Sequence, residues 1–206
     1  MVCLSDFHGR KIRFSIPSGN VLVVAGDICN RGNLEEIERF DRFLADLPHE
    51  HKLVVAGNHD WPFAKLPVEN ASSLLRNGIY LQDSSVTIDG VKFWGSPWQR
   101  KYFDGAFDLN RQQDLVEKWN KIPKDTDVLI THTPPYGTLD KTRRGNHAGC
   151  RDLAKIVQTI NLKAHIFGHI HEHAGKQRVS GCIFVNASIA KHYHNKAYAL
   201  TTIDID

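Results

Sequence analysis

Cysteine is scarce in this chain. Its four thiols, Cys3, Cys29, Cys150 and Cys182, are scattered and never approach a CxxC spacing. That argues against a disulfide framework or a zinc knuckle, and for reduced thiols in a cytoplasmic protein. Long apolar runs are missing as well. None nears the roughly 20 residues that a bilayer-spanning helix needs, so no membrane partner is expected. The first apolar segment begins at residue 2, so no leader peptide is expected. No internal repeat, low-complexity tract or linker interrupts the 206 residues. They are expected to fold as one domain, 1–206, with a substantial core. Nor is there a Lys/Arg-rich stripe. A net charge of +3 and a pI near 8.6 favour anionic ligands only weakly, and long nucleic acid is not an expected partner. The 41% hydrophobic and 24% charged content is that of an ordinary globular protein.

Histidine, by contrast, is abundant at twelve residues. Position matters more than number. In residues 52–60 (KLVVAGNHD) a short apolar run leads into Gly57, then Asn58, His59 and Asp60. Such a run reads as a strand buried on both faces. Gly57 permits a sharp turn at its end. The polar triplet then lands on the rim of a sheet, where α/β proteins keep their chemistry. One such triplet is more often a capped strand end than a site. Repetition changes that reading. Residues 2–5 deliver Asp6 and His8, 21–25 deliver Gly26 and Asp27, 127–131 deliver His132, and 164–167 deliver Gly168, His169 and His171. On an extended backbone residues i and i+2 face the same way, so Asp6 and His8 can reach one ion, and His169 and His171 repeat the spacing. Polar clusters after five buried strands point to a dinuclear metal site. His49, His51, His147 and His194 fall outside the pattern.

Between these strands the periodicity predicts a helix over 33–47, with Asn33 and Glu36 forming a capping box. Residues 61–67 read as a packed loop and 70–76 as a short helix. Strands are expected at 79–81, 85–88 and 91–94, the last two joined by the hairpin signal Asp89-Gly90. Residues 95–108 look irregular, 110–121 helical, and the polar loop through Arg143, Arg144, Gly145 and His147 mobile. A helix over 150–160, a hairpin over 176–186 turning at Ser180-Gly181, and a strand over 198–203 complete the chain.

The ordered set Asp6-x-His8, Gly26-Asp27, Gly57-Asn58-His59-Asp60, His132 and Gly168-His169-Ile-His171 resembles the signature of the calcineurin-like metallophosphoesterases over nearly the whole chain. Further blocks are similar to the metallophosphoesterase-domain-containing (fetal brain protein) subfamily. They are Leu47-Pro-His-Glu50, Tyr80-Leu-Gln-Asp83, Gly95-Ser-Pro-Trp98, Thr131-His-Thr-Pro-Pro-Tyr-Gly137, Gly149-Cys150 and Phe167-Gly-His-Ile-His-Glu172. Members that replace the first histidine of the last block are expected to be impaired; here His169 is present. The spacing of His169-Ile-His-Glu-His173 also brings the metallo-β-lactamase fold to mind, but it is one residue short and leaves the upstream carboxylates unexplained.

The resemblance implies an α/β fold in which two mixed β-sheets pack as a sandwich flanked by helices. It implies that Asp6, His8 and His171 hold one divalent transition ion, that Asn58, His132 and His169 hold a second, and that Asp27 bridges them. A carboxylate suits a bridge because its oxygens can serve two cations. Mixed nitrogen and oxygen ligands fit Mn, Fe, Zn, Co or Ni. Two such ions would acidify a shared water, which then attacks a phosphoester. His59 is expected to act as general acid toward the leaving oxygen, with Asp60 orienting its imidazole. Arg31 occupies the phosphate-binding position of the phosphoprotein-phosphatase block Gly-Asp-x-x-Asp-Arg-Gly, although Asn30 replaces the second aspartate. The expected substrate is a small phosphoester, preferably a nucleotide-type phosphodiester including cyclic nucleotides. The alternatives are a phosphomonoesterase or protein phosphatase, and a nucleotide-binding scaffold. Trp61, Trp98 and Tyr136 are candidates to stack on a base.

Overall fold

The computed structural model describes residues 1–12, 14–30, 32–101, 104–110, 112–190 and 200–205. Strands β1 (Val2–Leu4) and β2 (Val21–Ala25) are followed by helix α1 (Leu34–Ala45) and strand β3 (His51–Val55). Helices α2 (Trp61–Ala64) and α3 (Val68–Ser72) lead to β4 (Ile79–Tyr80), β5 (Ser84–Ile88) and β6 (Val91–Ser96). Next come β7 (Gln99–Arg100), β8 (Asp108–Leu109), α4 (Gln112–Trp119), β9 (Val128–Thr131), α5 (Arg151–Val157) and β10 (Ala164–Phe167). A 3-10 turn at His171–His173, a hairpin of β11 (Gly175–Val179) and β12 (Cys182–Asn186), and β13 (Thr201–Thr202) close the order.

One sheet runs β13-β1-β2-β3-β4 and the other β11-β12-β10-β9-β6-β5, with β7 and β8 forming a small ribbon. Both large sheets are mixed. In the first, β1 through β4 are parallel and β13 is antiparallel. In the second, β12, β10, β9 and β6 are parallel, and β11 and β5 run against them at the edges. The parallel cores point their C-terminal ends to a common rim, which is why every polar cluster found in the sequence arrives there.

Side-chain alternation explains why the inner strands are apolar throughout. In β2, Val21, Val23 and Ala25 meet Phe93, Val128, Ile130, Ala164 and Ile166 of the opposing sheet. Leu22 and Val24 point the other way, onto Ile37, Phe40 and Leu44 of α1. Both faces of the strand are therefore buried. On the far side, Leu129, Phe167 and Phe184 pack under Trp119 of α4 and Leu153 and Val157 of α5. The result is helix, sheet, sheet, helix. Each fully buried side chain of this kind contributes roughly 1.5–3 kcal/mol.

Local chemistry sets the details. Asn33 accepts from the Glu36 amide at 3.0 Å while Glu36 returns a bond to Asn33, so the capping box starts α1 where expected. Asp89-Gly90 and Ser180-Gly181 all have positive φ, as a two-residue hairpin turn requires. Three expectations need correction. Residues 61–64 are helical, since Pro62 sits in the first turn, where its missing N–H costs nothing. Helix α3 begins earlier than predicted, directly after Pro67. Residues 95–108 are partly ordered by β7 and β8, whose parallel pairing no local pattern announces. Of the expected strand over 198–203, Thr201–Thr202 forms β13, and residues 198 and 199 lie outside the described residues.

The two sheets approach closely at Gly95. A Cβ there would lie 2.3 Å from Leu81 Cβ and 2.8 Å from Val55 Cγ2, across the interface. Gly95→Ala is expected to destabilise the fold by about 1–3 kcal/mol through overpacking, measured by urea unfolding. An unchanged midpoint would show that the sheets can part without cost.

Candidate metal centre

The strand ends do not simply run out into the site; they turn into it. Asp6, His8, Asp27 and His169 all have left-handed backbones, with φ of 63°, 49°, 55° and 69°. Asp and His tolerate this region better than most non-glycine residues. Strained backbone is typical where side chains must be aimed. This corrects the expected route by which Asp6 and His8 meet. They converge through turned backbone, not through the alternation of an extended strand. Main-chain bonds hold the turns: Asp6 N to Gly26 O at 3.0 Å, His8 N to Asp27 O at 3.0 Å and Gly168 N to His132 O at 3.0 Å.

The glycines of the motifs clear space. A Cβ on Gly57 would sit 2.3 Å from Asp27 Oδ1, and one on Gly26 would sit 2.4 Å from His132 Nδ1. One on Gly168 would meet Ser5 Oγ at 2.0 Å and Asp6 Oδ2 at 2.6 Å. Sequence patterning had treated Gly57 as a turn residue; the structure shows close approach to be its larger task.

Two donor sets result. In the first, Asp6, His8, Asp27 and His171 bring ligand atoms within 4.8 Å of one another. His8 Nε2 lies 3.0 Å from His171 Nε2 and 3.8 Å from Asp27 Oδ2, and His171 Nε2 lies 3.2 Å from Asp6 Oδ1. In the second, Asn58 Oδ1 lies 3.0 Å from His132 Nε2 and 3.1 Å from His169 Nδ1. Asp27 Oδ1 is 3.4 Å from His132 Nε2, so its carboxylate faces both sets. His169 and His171, neighbours in sequence, thus go to different sets. Two ligands on one ion at about 2.1 Å are separated by roughly 3.0–3.4 Å for octahedral to tetrahedral angles. Most of these spacings fall in that range, and the mixed nitrogen and oxygen donors suit divalent metal ions. His132 is oriented for ligation, because its Nδ1–H donates to Ala25 O at 2.8 Å and turns Nε2 inward.

The electrostatics have one logic. Burial opposes charge on Asp27, yet the neighbouring His132, His59 and His8 hold its carboxyl well below the usual range. Burial also opposes charge on His132, but Asp27 and Asp6 overcome it and raise His132 to about 9. His169, with burial and the His132 charge both against protonation, falls to about 4. The buried carboxylates therefore draw positive charge into the pocket, which is what a cation site requires.

His59 lies beside the first set, its ring 4.6 Å edge-on from that of His8. Its amide donates to Asp27 Oδ1 at 3.0 Å, and its Nδ1–H donates to Asn30 O at 2.9 Å. Asp60 is not its partner, contrary to the sequence reading. That carboxylate is fully buried and accepts from Ile28 N at 3.2 Å, Cys29 N at 2.8 Å and Gly57 N at 2.8 Å. Three amides from two strand-end loops have claimed it, so it ties those loops together. Burial and the Asp27 charge nonetheless push it up to about 6. Arg31 lies outside the described residues. Glu36 was legible only as a capping residue. It also accepts from Asn30 N and Gly32 N, both at 3.1 Å, and so fixes the loop whose carbonyl orients His59.

Because Asp27 touches both sets, Asp27→Ala is expected to lower occupancy at both ions, whereas His169→Ala should mainly empty one. Elemental analysis after loading with manganese would show this. Full two-ion occupancy in Asp27→Ala would remove Asp27 from a bridging role.

Comparison with known proteins agrees with the geometry. Residues 3–173 match the calcineurin-like phosphoesterase (Metallophos) family. The chain is 41% identical over 212 residues to human metallophosphoesterase domain-containing protein 1, covering 91% of this chain and 65% of that protein. It is 42% identical over 203 residues to UPF0046 protein K07C11.7 of Caenorhabditis elegans, covering 91% of this chain and 69% of the other. The chain thus spans a little under two thirds of the human relative's length. One solved structure superposes with a TM-score of 0.65 at 22% identity, over 91% of this chain and 89% of its own, and shows the shared fold. The ordered strand-end motifs, the paired sheets and the family match lead to one conclusion: the chain belongs to the calcineurin-like phosphoesterases.

Proposed function

We propose that this protein is a metal-dependent phosphoesterase that hydrolyses small nucleotide-type phosphodiesters, cyclic nucleotides among them. The observation that carries the reading is the pair of donor sets sharing Asp27, with His59 alongside. Asp6, His8, Asp27 and His171 would hold one divalent ion, and Asn58, His132, His169 and Asp27 the other. When bound, such ions acidify water and offset negative charge on phosphoryl oxygens.

The chain's own residues supply the rest. His59 uses Nδ1 on the Asn30 carbonyl, which leaves Nε2 to carry a proton to the leaving oxygen. Asp60 and Glu36 hold the loops on either side, so the imidazole keeps its orientation. Among the aromatics, Trp98 is committed to packing. Its indole N–H donates to Asp83 at 2.9 Å, and Lys118 Nζ sits 3.7 Å from its ring. Tyr136 is likewise covered by the Arg151 guanidinium at 3.7 Å. Trp61, two residues from His59 and half-buried against Gly32, is the ring we assign to support a base, since the cation over it, Lys65 Nζ, stands 5.7 Å off, farther than those on Trp98 and Tyr136. The four free, buried cysteines suit a reducing compartment such as the cytoplasm. Among the described residues no helix is long and apolar enough to cross a membrane.

Two measurements test this. His59→Ala should keep both ions and lose about 10²–10⁴-fold in rate on alkyl esters, with a smaller loss on aryl esters, whose leaving groups need little protonation. Equal losses on both classes would sink the general-acid role. Trp61→Ala should raise KM for cyclic nucleotides, since stacking is worth about 1–3 kcal/mol per base, and leave a small synthetic diester almost unchanged. Good turnover of simple monoesters with no nucleotide binding would favour a phosphomonoesterase.

A further inference from the structure

Residues 141–148 form a small hairpin standing on the turn that carries His171. The sequence suggested a mobile loop here, but the backbone is cross-braced. Thr142 N donates to Asn146 O at 2.9 Å, Gly145 N to Thr142 O at 2.9 Å, and Ala148 N to Asp140 O at 3.0 Å. Lys141 and His147 form an antiparallel bridge. The base is pinned equally well. Asp140, fully buried, accepts from Gly137 N and Gly149 N at 3.0 Å each and holds His147 Nδ1. Asn186 Nδ2 donates to Leu139 O at 3.0 Å and to Ile170 O at 2.8 Å, which joins the hairpin to the residue before His171. Lys141 N donates to His173 Nδ1 at 2.9 Å.

This ordered backbone presents Arg143 and Arg144 at its tip, both exposed, with exposed Lys141 below them. Arg151 stacks on Tyr136 at the hairpin's base. Among the described residues none of Lys141, Arg143 and Arg144 makes an ion pair. The segment's own acid, Asp140, is buried and its oxygens are taken by two amides and an imidazole. Adjacent guanidiniums on a rigid turn repel each other unless an anion lies between them, and their planar forks match phosphate oxygens. The base of the hairpin is joined to the turn that carries His171, a donor of the first set. His173, which the hairpin grips, is two residues from His171, a separation of at most about 7 Å between Cα atoms.

We infer that the 141–148 hairpin is a binding lip for a second phosphate of the substrate, distal to the one hydrolysed, with Arg143 and Arg144 as its ligands. The inference rests on the phosphoesterase reading and adds to it that, among such substrates, those carrying an additional phosphate bind more tightly.

The test compares wild type with the Arg143→Ala/Arg144→Ala double variant, whose exposed positions spare the fold. Substrates are a 5′-phosphorylated dinucleotide, the same dinucleotide without that phosphate, and bis(p-nitrophenyl) phosphate. KM should rise about tenfold for the phosphorylated dinucleotide alone, in keeping with the loss of a charge-assisted hydrogen bond. The Lys/Lys double variant should recover part of it. An unchanged KM, or equal changes on all three substrates, would overturn the lip. So would an arginine effect that keeps growing with oligonucleotide length, which would mark a site for extended nucleic acid. If wild type hydrolyses none of the three and no cyclic nucleotide either, the phosphoesterase reading itself fails. Calorimetric binding of the phosphorylated dinucleotide then decides the lip separately, and equal affinity in wild type and the Ala/Ala variant would end it.

Discussion

Everything at the rim of this molecule depends on the Asp27 carboxylate being held between two groups of imidazoles. One oxygen lies 3.4 Å from His132, the other 3.8 Å from His8, and the His59 amide donates to the first at 3.0 Å. A buried carboxylate is costly alone, and these neighbours offset that cost. The arrangement requires strands from two different sheets to end within a side chain's reach of each other. Glycine at positions 26, 57 and 168 makes this possible, since a Cβ at any of them would meet a ligand side chain or its support at under 3 Å.

Around that centre two buried acids do similar jobs at different radii. Asp60 collects the amides of Ile28, Cys29 and Gly57, and Glu36 those of Asn30, Gly32 and Asn33. Together they take up the backbone that links Asp27 to α1, which leaves the Asn30 carbonyl free to receive the His59 imidazole. Orientation of the imidazole thus comes from a main-chain oxygen kept in place by carboxylates, not from a carboxylate directly. Gly9 joins the same support, because a Cβ there would lie 2.2 Å from Glu36 Oε1. Glu36 thus lies close beside the loop carrying His8 while it holds the loop whose carbonyl receives His59.

Farther out, the rim divides by how its aromatic residues are employed. Trp98 is anchored by Asp83 and Lys118, and Tyr136 carries Arg151 on its ring, while the cation over Trp61, Lys65, stands farther off at 5.7 Å. The 141–148 hairpin gives the opposite case, polar residues that read as a loose loop in the sequence and are cross-linked by hydrogen bonds in the fold.

The sequence by itself determined the donor residues gathered at the rim, their order and the strands that deliver them. Short apolar runs closed by Gly-Asp, Gly-Asn-His and Gly-His-x-His are local signals, and period-two burial on both faces turns them into parallel strands at a common rim. The capping box of α1 and both tight hairpins were legible for the same reason, since their chemistry lies within four residues. What only the tertiary structure decided is how partners far apart in the chain are matched. Asp60 and His59 are adjacent in sequence, yet one bonds across 32 residues to Ile28 and the other across 29 to Asn30. His169 and His171 part to opposite sides of Asp27 because the left-handed turn at His169 redirects the chain between them. Pairings of this kind depend on the distance between sheets and on which backbone amides remain unpaired at strand ends, and neither is written in any local stretch of residues.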